Sequence, residues 1–147
     1  MAETKQFSVN IRLLENYIFQ VDFGEFGNVL TDEPEPLGNG EGPNPARMLA
    51  AAVVNCLAAS LLFAIRKYKG DPGGVHAVIH GDIDRVQKRW RIINLKAELH
   101  LEGDTDKIPE LDKVLASFEG FCIVTQSVEA GIPVDVTVFD NQGRQLK

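Results

Sequence analysis

The sequence has little of what staples or metals hold together: of its 147 residues, two are cysteine, three are histidine and one is tryptophan. Two cysteines cannot build a disulfide framework. The histidines make a poor metal site, because His76 and His80 share a strand face yet lie roughly 13 Å apart along it, and His100 sits on the polar face of another segment. No metal and no organic cofactor is called for. Walker, GxGxxG and GxSxG patterns are missing, so nucleotide binding and serine hydrolysis gain no support. Cations are few as well: 15 Lys and Arg stand against 21 Asp and Glu, a formal net charge of -6. That balance gives no field for nucleic acid or an anionic membrane. The basic runs "RKYK" (66–69) and "RVQKRWR" (85–91) belong to no nucleic-acid motif and read as solvated ends of elements. The opening residues "MAETKQFSVN" lack a basic stretch followed by an apolar run, which makes the cytoplasm the expected location.

What is present suits one folded domain over residues 1–147: 44% apolar and 24% charged residues, near the averages of globular chains. Residues 6–23 alternate, with Phe7, Val9, Ile11 and Leu13 on one face, then Tyr17, Phe19, Val21 and Phe23 after the break "ENY". This predicts a β-hairpin. The Gly-, Pro- and acid-rich stretch 24–43 predicts a long surface loop. Asn44 as N-cap and Pro45 as first residue then open a helix predicted over 45–69, with cations and Gly70 at its end. No charge falls between Met48 and Ile65. Length alone would let this helix cross a bilayer. Its alanine content, with Asn55, Cys56 and Ser60, fits a buried core helix better, and no membrane partner is expected. Two strands follow in "VHAVIHGDID" and "WRIINLKAELHLEG", then an amphipathic helix in "TDKIPELDKVLASFEGF" and a last strand in "IPVDVTVFD". The order ββ, helix, ββ, helix, β predicts an α+β fold with antiparallel sheets.

Chemistry is left to Cys56, in the middle of the apolar helix, and Cys122, 66 residues later. A buried cysteine is commonly only a small hydrophobe. The segments "PNPARMLAAAVVNC" and "CIVTQSVEAGIPVDVTV", however, resemble the OsmC/Ohr family of thiol-dependent hydroperoxide reductases, in which an Ala-rich central helix bears the first cysteine and a second follows a later helix. The resemblance extends over about residues 6–139.

It implies an intertwined homodimer, with antiparallel sheets wrapped around a long central helix. It implies that Cys56 attacks an organic hydroperoxide, that the sulfenic acid condenses with Cys122, and that an external dithiol reduces the disulfide. The family activates its first cysteine with an arginine of the N-terminal hairpin, held by a glutamate directly after the helix-opening proline. Ala46 occupies that glutamate position and Arg12 is the available hairpin arginine, displaced by two or more residues. Arg47, nine helical positions before Cys56, falls about 180° around the helix. Glu41 is the nearby carboxylate that would replace the missing one, and Ile123 and Thr125 replace the usual Pro and Ser. A buried thiol without a cation is a slow nucleophile. Phe19, Phe63, Phe118 and Phe121 are candidates for an apolar substrate pocket as well as for core packing. The alternative is a non-catalytic small-molecule binding protein on the same dimeric scaffold.

Overall fold

A computed structural model describes residues 3–147 and resolves into two compact units. One takes in the chain up to Val54 and Ala77–Glu98; the other comprises Asn55–His76 and Leu99–Lys147. Among the described residues the architecture is mixed α+β, with two antiparallel sheets and three α-helices.

In the first unit, β1 (Asn10–Glu15) and β2 (Ile18–Asp22) form the expected hairpin, pairing Ile11 with Val21 and Leu13 with Phe19. Asn16 makes the tight turn with a positive φ of 48°, a conformation asparagine tolerates better than most residues. A register shift between Leu13 and Glu15 marks a bulge beside it. The loop expected over 24–43 contains a third strand, β3 (Asn28–Thr31), which pairs Val29 with Val21 and Thr31 with Phe19. Four residues are too few for alternation to announce a strand; the partner β2 makes it one. The predicted apolar face of β1 is present but uncovered in the single chain, with Ile11 62% and Leu13 53% exposed.

Beyond β3 the loop is organised around one carboxylate. Asp32 Oδ1 accepts from the Glu33 amide at 2.7 Å, and Oδ2 accepts from the Asn39 and Glu41 amides, both at 3.1 Å. Gly38 lies so close that an added Cβ would meet the Glu33 carbonyl and Asp32 Oδ1. Glycine is required here by the close approach of backbone.

The long helix α1 (Pro45–Lys67) begins as predicted: Asn44 Oδ1 accepts from the Arg47 amide at 3.0 Å. It ends two residues early. Lys69 takes a left-handed φ of 61°, and Gly70 N–H returns to the Ile65 carbonyl at 3.0 Å. The strands β4 (Val75–Val86) and β5 (Arg89–Leu101) form a two-stranded sheet closed by Gln87 and Lys88, both at positive φ as a two-residue hairpin turn demands.

The second unit carries the cluster Leu61, Ala64, Ile65, Ile108 and Val114, with Leu99, Leu101, Leu111 and Phe118 packed against it. The amphipathic helix predicted over 105–121 is shorter: α2 (Leu111–Ser117), flanked by 3-10 turns at Thr105–Lys107 and Phe118–Phe121. Pro109 lacks the amide a longer helix would need. A further helix, α3 (Ile123–Ala130), occupies a segment for which no element was predicted. The last predicted strand does not form. Between Ile132 and Asp140 the described chain makes only one bridge, Phe139 to Gln145, and Val134, Val136 and Val138 stand 79%, 59% and 44% exposed. Alternation prepares a strand, but a ladder needs a neighbour to supply the second row of hydrogen bonds.

Candidate functional site

The candidate site lies in the second unit, where α1 and the start of α3 bring the two cysteines together. Cys56 is half-buried on α1, and Ser60 stands one turn further on the same face, buried. The 3-10 turn Phe118–Phe121 delivers Cys122 as N-cap of α3, the amide of Cys122 donating to the Glu119 carbonyl at 3.1 Å. Cys122 is 0% exposed. Both residues are free thiols.

The Cys122 sulfur takes the part that serine or aspartate plays at most helix starts. It accepts from the Thr125 amide at 3.4 Å, and its thiol donates to Thr125 Oγ1 at 3.0 Å. When the sulfur ionises, the hydroxyl can rotate and donate in turn. Burial by itself pushes the Cys122 thiol up. The hydrogen bond from Cys56, those from the Thr125 hydroxyl and amide, and that from Ser60 outweigh it and hold the thiol below its ordinary value. The arrangement thus favours the ionised form of Cys122, with the second thiol close beside it.

The remaining candidate residues are distributed between the units. Phe63 and Phe121 meet edge to face, their centroids 5.3 Å apart at 74°, and Lys67 Nζ stands 5.7 Å from the Phe121 centroid. Phe118 packs against the core cluster. Phe19 and Arg12 belong to the first unit: Phe19 is half-buried on β2, and Arg12 is exposed on β1 opposite Gln20. Glu41 also lies there, exposed, its amide held by Asp32. Thr125 and Ser60 were not recognised from sequence as partners of a thiol. Their spacing was the available signal, Thr125 at the third position after a capping residue and Ser60 four residues after Cys56.

The histidines are less scattered than the sequence suggests. His76 and His100 stack with centroids 4.8 Å apart at 9°, and His76 Nδ1 lies 3.1 Å from Glu102 Oε1. Among the described residues, no group of three or more His, Cys, Asp or Glu is arranged to hold a metal ion. α1 is long and apolar enough to cross a membrane by length and composition only, a test that the core helix of a soluble protein also passes, and 33% of its most apolar window is buried within the chain.

A search of the curated proteins finds no match to this chain. Among solved structures, it is similar to an OsmC-like protein of unknown function from Vibrio cholerae, at 16% identity and a TM-score of 0.69, over 86% of this chain and 95% of that one. A hypothetical protein from Aquifex aeolicus gives 15% identity and a TM-score of 0.69, covering 87% and 90% of the two chains. An organic hydroperoxide resistance protein OsmC from Legionella pneumophila gives 14% identity and a TM-score of 0.65, covering 85% and 91%. At these identities the likeness concerns the fold. The family model for OsmC-like proteins matches residues 38–137, a stretch that holds both cysteines and most of the chain. With that match, the chain belongs to the OsmC-like protein family.

Proposed function

We propose that this protein reduces organic hydroperoxides through Cys56 and Cys122, acting as a single-domain, cytoplasmic homodimer that an external dithiol regenerates. The observation that carries the reading is the pairing of two free thiols, one buried and held as helix cap, the other half-buried and partly open. Access assigns the roles. Cys56 meets the substrate, and its sulfur bonds to the distal peroxide oxygen as the O–O bond breaks, leaving Cys56 sulfenic acid and the alcohol. The Cys122 sulfur then attacks the Cys56 sulfur, the S–O bond breaks and hydroxide leaves. The disulfide returns to two thiols by exchange with the external dithiol, which is oxidised in turn.

The Phe63–Phe121 pair, directly before Cys122, supplies an apolar surface for an alkyl or aryl substrate, with Phe118 and Phe19 as further candidates. Arg12 is the proposed cationic assistant. The homodimer is supported by apolar side chains that the single chain leaves open, Ile11 and Leu13 on the strand β1 and the valines of the extended segment 134–138.

The test is the loss of free thiol after one equivalent of cumene hydroperoxide is added to reduced protein, followed by mass spectrometry. Loss of two thiols is expected, abolished in Cys56→Ser and replaced by an accumulating sulfenic acid in Cys122→Ser. Thiols that remain reduced would end the peroxidase reading.

A second reading, a non-catalytic small-molecule binder on the same scaffold, is favoured by a separate cavity. It measures about 250 Å³ in the first unit, between the start of α1 (Ala46, Arg47, Ala50) and the strand residues Ile79, Ile83, Ile92 and Leu95. Ligand binding that persists in the Cys56→Ser, Cys122→Ser double variant, without thiol consumption in the wild type, would favour it.

A further inference from the structure

The family arrangement puts the burden of activation on a cation beside the first cysteine, and Ala46 breaks that arrangement here. The hydrogen bonds in this chain converge on the other sulfur. Thr125 bonds it through both its amide and its hydroxyl, and the Ser60 hydroxyl and the Cys56 thiol stand beside it. Among the described residues these three, on α1 and α3, act on the Cys122 sulfur, and Lys67 stands over the ring of the adjacent Phe121.

Resting on the peroxidase reading above, we propose that Cys122 carries the negative charge of the thiol pair at rest and serves as the general base for Cys56, with Thr125 and Ser60 as positioning residues that hold the charge in place. Cys122 is closed to substrate, so its charge is useful only through its neighbour. As the hydroperoxide arrives, the Cys56 proton passes to the Cys122 sulfur, and the Cys56 thiolate attacks the distal oxygen. The departing alkoxide takes the proton back from Cys122 and leaves as alcohol, while the peroxide's own hydrogen stays on the sulfenic acid. Cys122 is again a thiolate, now facing the sulfenic acid it must resolve. One thiol, one thiolate and one hydroperoxide become one disulfide, one alcohol and one hydroxide, with atoms and charge conserved. A single sulfur thus acts first as base and then as nucleophile.

The experiment has two arms on reduced, full-length protein. The first titrates thiolate absorbance near 240 nm without any peroxide. A thiolate that forms below the ordinary thiol range, vanishes in Cys122→Ser, and moves to higher pH in Thr125→Val and Ser60→Ala supports the charge placement. Recovery of the wild-type midpoint in Thr125→Ser separates a hydroxyl effect from damage to the fold. A midpoint that survives Cys122→Ser, or ignores Thr125→Val, overturns it.

The second arm measures the first chemical step alone, as alcohol released in a single turnover with cumene hydroperoxide. A purely resolving cysteine is idle in this step; a general base is not. We expect Cys122→Ser to slow it about 100-fold. An unchanged rate overturns the base role. A wild type that carries the Cys122 thiolate but ignores peroxide ends the peroxidase reading, and the base role with it, while the charge placement stands on the first arm.

Discussion

Asp32 and Cys122 pose the same physical problem in two regions of the chain and solve it differently. Each is almost wholly buried, at 2% and 0% exposure, and in each burial pushes the group up while hydrogen bonds prevail and hold it below its ordinary value. The donors differ. Asp32 is held by three backbone amides, those of Glu41, Glu33 and Asn39. Such donors cannot take up or release a proton, and they lock a loop. Cys122 is held by one amide and by side chains that can rotate or give up a proton: a thiol and two hydroxyls. An anion satisfied only by backbone is structural. One satisfied by exchangeable side chains is available for chemistry.

The largest effect should come from breaking the structural anion. In Asp32→Asn the amide nitrogen that replaces one carboxylate oxygen must face a backbone donor, so at least one of the Glu33, Asn39 and Glu41 amides loses its acceptor. Hydrogen exchange across 33–41 should accelerate about tenfold or more. Unaltered protection would mean that the loop is held by something other than the carboxylate. Gly38→Ala strikes the same loop sterically, because the new Cβ would collide with the Glu33 carbonyl and Asp32. A cost of about 1–3 kcal/mol is expected in chemical unfolding, and a neutral result would deny the close approach. Cys122→Ala should cost about 1–2 kcal/mol, within the range of a lost helix cap. It should nevertheless remove all turnover. A loss of stability as large as that of a core truncation would make Cys122 a structural residue like Asp32.

The same contrast explains what the sequence made legible. The hairpin, the start of α1 and the β4–β5 pair follow from local alternation and capping, and the structure has them where those signals lie. β3 and the unformed strand at Val134–Val138 are errors of opposite sign with one cause: pairing depends on a neighbour, not on the segment itself. The cysteines were visible as candidates, and the resemblance supplied their pairing. The hydrogen bonding of the Cys122 sulfur was not visible, because it depends on which sulfur caps a helix, and α3 is only eight residues long. Thr125 read as a departure from the family pattern; in the structure it is the residue that bonds Cys122 twice.

The smallest effect, and the sharpest test of the comparison, is the dependence of stability on pH. Both groups have their folded values lowered, so each favours the folded state once it is ionised there, and each contribution disappears as the pH falls through the folded value. The ordinary values set the windows. For Asp32 the contribution is complete above about 3.8 and is lost in acid below it; for Cys122 it grows as the pH rises through the lowered value and is complete only above about 9.0. At neutral pH the loop anion therefore contributes in full, and the contribution of the thiolate is not yet complete. Unfolding midpoints measured from pH 3 to pH 10, values chosen to bracket both windows, should show an acid limb that Asp32→Asn flattens and an alkaline rise that Thr125→Val flattens. Each variant should leave the other limb alone. An alkaline rise that persists in Thr125→Val would mean the hydroxyl does not hold the charge on Cys122, and the distinction between a backbone-held anion and a side-chain-held one would lose its physical basis.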